Sequence, residues 1–150
     1  MYLQVNTNAT NFLAAYDPNG GIMNLWRFYT FEYDGNKTYP SSFKLTKNNV
    51  ATSLANNNTG TYTGMPNLGD ELVLTLVGKT DGLVILNKAL SDGERTELYN
   101  AGVPMDIRTS AVAANILGYW LFEDNVLDYS AGGLSDGTAS GLSYSSDRPV

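Results

Sequence analysis

In 150 residues this chain has no cysteine and no histidine. Without cysteine, neither a disulfide framework nor a thiolate metal site can be built. Without histidine, the usual general base of neutral pH is missing, together with the commonest ligand for transition metals. Charge is also sparse, with 9 Lys and Arg against 15 Asp and Glu, a formal net charge of −6. That balance argues against nucleic acid, since phosphate-binding surfaces are made of Lys and Arg. It disfavours an anionic membrane surface for the same reason. No apolar run approaches the roughly 20 residues that a bilayer span needs. The first residues, Met1–Asn6, have no basic region and no signal-peptide core, so no export sequence is expected.

What the chain does have is strand-forming and turn-forming residues. Its 150 residues suit a single domain, 1–150, with a real core, and no shift of composition marks a second one. Tyr2–Val5 alternates like an edge strand, and Phe12–Tyr16 is a short strand ending at the turn-rich Asp17–Gly21. Met23–Tyr33 is the longest strand candidate. On it Trp26, Phe28 and Thr30 share one face, while Tyr29, Phe31 and Tyr33 share the other. Ser42–Thr46 and Val50–Leu54 read as a hairpin around Lys47–Asn49. Ala55–Asn67, rich in Asn, Thr and Gly, reads as a surface loop with at most a short strand. Glu71–Val77 and Leu83–Leu86 are apolar and branched, hence core strands. Beyond Gly102 the chain is expected to cross the surface. A small helix is expected over Ser110–Ile116, where alanines favour it, and a strand over Tyr119–Phe122. Asp124–Val150 is Gly/Ser-rich, with weak strands near Leu134 and Leu142.

One stretch is sharper than the rest. Ser91 and Glu94 form an S-x-x-E capping box, in which each side chain satisfies a backbone N–H of the other residue. Gly102 offers a left-handed stop. Between them fits a single short helix, near 91–101, with Leu98 and Tyr99 as its apolar anchors. A lone capped helix in a strand-rich chain is an architectural element, not a catalytic one.

These words carry a resemblance. Asn87–Ser91 through Glu94, followed by Leu98–Gly102 (L-Y-N-A-G), is similar to the strand–helix ending of laminin-G-like, concanavalin A-like jelly-roll domains. Upstream, Phe31–Gly35 resembles that family's strand ending in Y-D-G, and Phe43–Val50 resembles its hairpin. Asn49 stands there in place of the usual glycine, a substitution that a left-handed turn tolerates. Leu117–Asp124 followed by Asp128–Gly133 looks like the opening of such a domain, although here it follows the helix. The resemblance therefore implies an all-β, antiparallel β-sandwich (jelly roll) that is permuted or incomplete, with one short capped helix near 91–101.

Candidate chemistry is thin. Asp70–Glu71 and Glu123–Asp124 are adjacent carboxylate pairs. Neighbouring residues on a strand point to opposite faces, so neither pair can flank one bond as a glycosidase requires. No catalytic residue, cofactor site or metal site is assigned, and hydrolysis is not expected. Asp17, Asn19, Asp124 and Asp128 are the conceivable oxygen donors for calcium. Turn formation explains them better, and no D-x-D-x-D-G loop is present. Trp26 and Trp120 lie in apolar segments and read as core, whereas Tyr39, Tyr62 and Tyr144 fall in polar surroundings suited to exposed contacts. Sequons at Asn8, Asn36 and Asn57 are what a chain rich in Asn and Thr holds by chance.

Modules with the Y-W-x-F-x-E words resemble those of bacteriophage virion proteins. That resemblance implies a non-enzymatic structural virion protein, of capsid-decoration, cement or head-fibre type, located at the capsid surface or tail. Its partners would be other virion subunits and further copies of itself, with no nucleic acid and no membrane. A sandwich lacking strands favours oligomers, because unpaired strand edges accept a neighbour's strand. The alternative expectation is an extracellular carbohydrate-binding, lectin-like adhesion module, given the Tyr- and Asn-rich composition.

Overall fold

The computed structural model describes residues 2–8, 11–16, 18, 25–34, 41, 43–56, 60, 61, 63, 79–132, 136–147 and 149. The chain divides into two compact units, Met1–Leu72 and Val73–Val150. Among the described residues the secondary structure is mainly antiparallel sheet, with one short α-helix. Among the described residues no helix is long and apolar enough to cross a membrane.

In the first unit, β1 (Tyr2–Asn8) and β2 (Asn11–Tyr16) form an antiparallel hairpin, from Tyr2 opposite Tyr16 to Asn8 opposite Asn11. A second sheet is built from β3 (Tyr29–Tyr33), β4 (Phe43–Lys47) and β5 (Val50–Ala51), in that order. The short β6 (Ala55–Asn56) pairs with β2, which among the described residues leaves β1 at the rim of its sheet. The strand expected over Met23–Tyr33 starts only at Tyr29, which lies opposite Lys47, the last residue of β4. Beyond that point Phe28 is tied to the turn instead. Its N–H donates to Asn48 Oδ1 at 3.0 Å, and its carbonyl accepts from the Asn48 N–H at 2.8 Å. The hairpin turn at Asn48 and Asn49 is as expected, with φ of 50° and 62° at the two residues, but its second strand is Val50–Ala51 and not Val50–Leu54. Positive φ at both central positions is what a two-residue hairpin turn requires, and Asn meets it at low cost.

The two faces of the β3–β4 ladder differ in chemistry. On one face Phe31 lies opposite Leu45 and Tyr33 opposite Phe43. Phe43 packs edge-on against Phe31 at 5.9 Å and tilted against Tyr33 at 5.2 Å, within the range of favourable ring pairs. Leu45 is 1% exposed and anchors this core. On the other face Thr30 and Thr46 are buried and share a hydroxyl–hydroxyl hydrogen bond of 2.6 Å, a cross-strand pair that satisfies both.

The second unit pairs β7 (Leu83–Leu86) with β8 (Ile116–Trp120), antiparallel, with an irregularity at Ile85/Leu86. Asn87 and Asn115 extend this ladder through a backbone bond of 3.1 Å and a side-chain bond of 2.9 Å. The connection holds the helix α1 (Asp92–Tyr99), with Ser91 as N-cap and both halves of the capping box formed. The helix stops earlier than Gly102. Asn100 (φ 42°) already leaves the right-handed region, followed by Ala101 (φ 54°) and Gly102 (φ 88°). The helix expected over Ser110–Ile116 is replaced by two 3₁₀ turns, Ile107–Thr109 and Ala113–Asn115. Ser110 between them is extended, and its hydroxyl donates to the Ile107 carbonyl at 2.6 Å. Such local side-chain bonding competes with helix. Val112, fully buried, joins Leu98, Ile107 and Tyr119 in the core of this unit.

The strand expected over Tyr119–Phe122 is shifted to Ile116–Trp120. It ends where Phe122 and Asp124 both adopt φ 59°, backbone that no strand continues. The segment 136–147 is exposed throughout and forms no strand, so the weak strand near Leu142 is not present. The expected strand over Glu71–Val77 and the residue Leu134 lie outside the described residues.

Candidate functional site

The chemistry of the second unit gathers around α1 and the turn that follows it. Glu94 accepts from the Ser91 N–H at 2.8 Å and the Ser91 hydroxyl at 2.9 Å, while Lys88 Nζ reaches its other oxygen at 2.6 Å. The Lys88 hydrogen bond, with the Ser91 donors behind it, lowers the Glu94 carboxyl to about 2. Arg95, the next residue, is 3% exposed, and its guanidinium donates to the Leu90 carbonyl and to Asp92 Oδ1. Glu97 accepts from the Ala111 N–H at 3.1 Å, which fastens the helix to the next turn. Every one of these contacts holds the connection in shape.

A second cluster faces solvent. Asp106 opens the 3₁₀ turn by accepting from the Arg108 N–H at 3.0 Å, and it grips the Arg108 side chain through both carboxylate oxygens, at 2.9 and 2.7 Å. This fork holds the Asp106 carboxyl below the ordinary carboxylate range and raises Arg108 further. The Arg108 guanidinium carbon sits 6.0 Å from the Tyr119 ring centre and 5.9 Å from that of Tyr129, at the outer limit of cation–π contact. Asn125 Nδ2 donates to the Tyr129 hydroxyl at 3.1 Å. Burial, followed by the charge of Asp106, pushes the Tyr119 phenol up, the wrong direction for a nucleophile.

Asp128 sets the position of both tyrosines. It is buried, and its Oδ1 accepts from the Tyr119 N–H at 3.0 Å and the Ser130 N–H at 2.8 Å. The Tyr129 N–H donates to the Tyr119 carbonyl at 2.7 Å, so residues 128–129 run beside β8. Asp136 Oδ1 accepts from the Asp128 N–H at 2.9 Å. Oδ1 of Asp128, a conceivable calcium donor from sequence, is therefore aimed at backbone amides.

Asp124 is exposed, and Asp17, Asn19, Tyr39, Tyr62, Asn36 and Asn57 lie outside the described residues, as do Asp70 and Glu71. Tyr144 is exposed, as its polar surroundings imply. Trp26 and Trp120 are half-buried rather than fully enclosed. The Trp120 indole lies over Gly118, where a Cβ would stand 2.3 Å from the ring. Among the described residues, no group of three or more acidic side chains is placed to hold a metal.

Sequence reasoning did not find Arg108, Asp106 or Tyr129. The legible signal was Asp106-Ile-Arg108, an acid at a turn's N-cap with a base two residues on, ahead of an apolar strand. As a surface, the cluster offers a fixed planar cation beside the half-buried Tyr129 ring and an amide, with the buried Tyr119 beneath it. Arg and Tyr of this kind anchor protein interfaces. No family model, no curated protein and no solved structure matches this chain.

Proposed function

We propose that this protein is a non-enzymatic structural component of a bacteriophage virion, a capsid-decoration, cement or head-fibre protein that works by docking onto other subunits. In this reading its strands belong to a laminin-G-like, concanavalin A-like jelly-roll sandwich, permuted or incomplete. It would act at the capsid surface or tail. The observation that carries the proposal is the segment 136–147, exposed along its whole length, with Leu142 and Tyr144 among its exposed residues. In this reading the exposed segment is buried against a neighbouring subunit. The Arg108–Tyr129 surface supplies a second, ordered contact region of the composition that interfaces use.

The test is attachment to particles. Particles stripped of surface proteins are mixed with the purified chain and recovered by sedimentation. The wild type is expected to sediment with them, and the double variant L142S/Y144S to stay in solution with an unchanged circular dichroism spectrum. Saturable glycan binding that depends on Tyr144, with no particle attachment, would replace this reading with that of a lectin-like adhesion module. That second reading draws on the exposed Tyr144 among serines.

A further inference from the structure

Leu117, Leu127, Leu142 and Tyr144 are all exposed, at 59%, 47%, 49% and 42%. Side chain alone would not let an endopeptidase that grips an apolar or aromatic residue choose among them. Their backbones differ. An endopeptidase holds its substrate extended and pairs with the main chain on both sides of the cut, as an added strand does. A backbone that is already engaged must first open locally, and that opening slows cleavage.

Leu117 lies within β8, which is paired to β7. Leu127 belongs to no strand, but it sits among fastened groups. Its own N–H donates to Asn125 Oδ1 at 3.0 Å. On either side of it, the Val126 carbonyl accepts from the Gly137 N–H at 2.7 Å and the Asp128 N–H donates to Asp136 Oδ1 at 2.9 Å. Residues 138–146 are the opposite case. This segment, T-A-S-G-L-S-Y-S-S, is exposed at every position, belongs to no helix or strand, and carries neither charge nor proline. Among the described residues, the one hydrogen bond that touches it runs from the Asp147 N–H to Ser145 Oγ, at 3.2 Å. Its ends are pinned. At one, Gly137 approaches Val126 so closely that a Cβ would stand 3.1 Å from the Val126 Cβ. At the other, Lys79 Nζ reaches Asp147 Oδ2 at 2.6 Å. Small residues flank both apolar side chains, with Ser143 following Leu142 and Ser145 following Tyr144, so no bulk obstructs an enzyme's cleft.

We infer that 138–146 is a processing site for an endopeptidase with an apolar specificity pocket, cut after Leu142 or Tyr144. The reaction is hydrolysis, with water as the only co-reactant. The C–N bond of Leu142–Ser143 or Tyr144–Ser145 breaks, the hydroxyl of the water joins the carbonyl carbon, and its hydrogen joins the serine nitrogen. The larger product keeps β7, α1, β8 and the fastening at Asp136–Gly137. On the docking reading above, the cut also divides the segment that meets a neighbouring subunit. That consequence rests on the docking reading, whereas the site itself does not.

The test is single-cut proteolysis of the intact purified chain by dilute chymotrypsin, with the fragments identified by mass spectrometry. The cut after Leu142 is expected to be roughly a hundredfold faster than cuts after Leu117 or Leu127, a comparison of leucine with leucine. The circular dichroism spectrum should stay unchanged as the cut chain accumulates. In the strongest denaturant that the enzyme tolerates, the ratio should fall below about tenfold. The variant S143P/S145P keeps both apolar side chains but places a residue without an N–H just beyond each cut, and it should lose both cuts. Comparable rates at Leu117 or Leu127 in the native chain, no cut after Leu142 or Tyr144, a ratio unchanged in denaturant, or collapse of the spectrum on cutting would each overturn the inference. No particle enters this experiment, so its failure is distinct from a failure of the docking reading.

Discussion

Asp128 is the residue on which the ordered surface of the second unit depends. Its carboxylate serves two backbone amides, one in β8 and one just beyond its own position, and so sets the strand beside residues 128–129. Replacing it by Ala leaves both N–H groups without an acceptor, at a cost of about 2–3 kcal/mol. Asp128→Asn keeps one acceptor oxygen and should lose less. Urea denaturation of the two variants measures both, and equal loss would mean that packing, not hydrogen bonding, is the role. Gly118 makes a different demand, since the Trp120 ring occupies the place of its side chain. Gly118→Ala forces the indole aside at about 1–3 kcal/mol, as overpacking does. In a Trp26→Phe background its emission should shift, and the added change Trp120→Leu should recover part of the stability.

At the scale of elements, the capping box makes α1 sensitive to acid. The Glu94 carboxyl ordinarily titrates at 4.5 and is lowered to about 2 by Lys88 and Ser91. The unfolded chain therefore takes up the proton first as pH falls. The contribution is complete above 4.5 and is lost as pH drops from there to about 2. Acid titration of helical circular dichroism should show this loss in the wild type and not in Glu94→Gln. At the β4–β5 turn, Asn48→Gly keeps the left-handed φ but loses the bond to the Phe28 N–H, costing about 1 kcal/mol. Asn48→Ala should cost more, because it adds backbone strain of about 1 kcal/mol. Thermal unfolding of the pair separates the two effects.

These same elements show what was legible in the sequence. The capping box, the Asn48–Asn49 turn, β7 and the Phe12–Tyr16 strand are set by neighbouring residues, and each was readable. The end of α1 was misplaced by two residues because Asn100 serves as a left-handed stop as well as Gly102. Alanine content suggested a helix at Ser110–Ile116, but a single serine hydroxyl bonded to Ile107 divided it into turns. β8 was misplaced because positive φ at Phe122, an unusual conformation for a bulky residue, leaves no trace in sequence. The Arg108 cluster was missed for another reason: it joins Asp106, Tyr119 and Tyr129, which only the fold brings together.

For the whole molecule, the relevant quantities are the net charge of −6, the small sheets and the exposed segment 136–147. Docking is proposed to be the function, so the isolated chain should associate with itself or with virion partners. Sedimentation velocity is expected to show species larger than 16.2 kDa that shrink in L142S/Y144S. A strictly monomeric wild type would transfer the whole burden to other virion subunits. The most direct test is compositional: quantitative mass spectrometry of gradient-purified phage particles from lysates in which this chain is made. The intact chain is expected in fixed ratio to the major capsid subunit across the particle peak. Its absence from particles, with all of it free in the soluble lysate, would contradict the proposal.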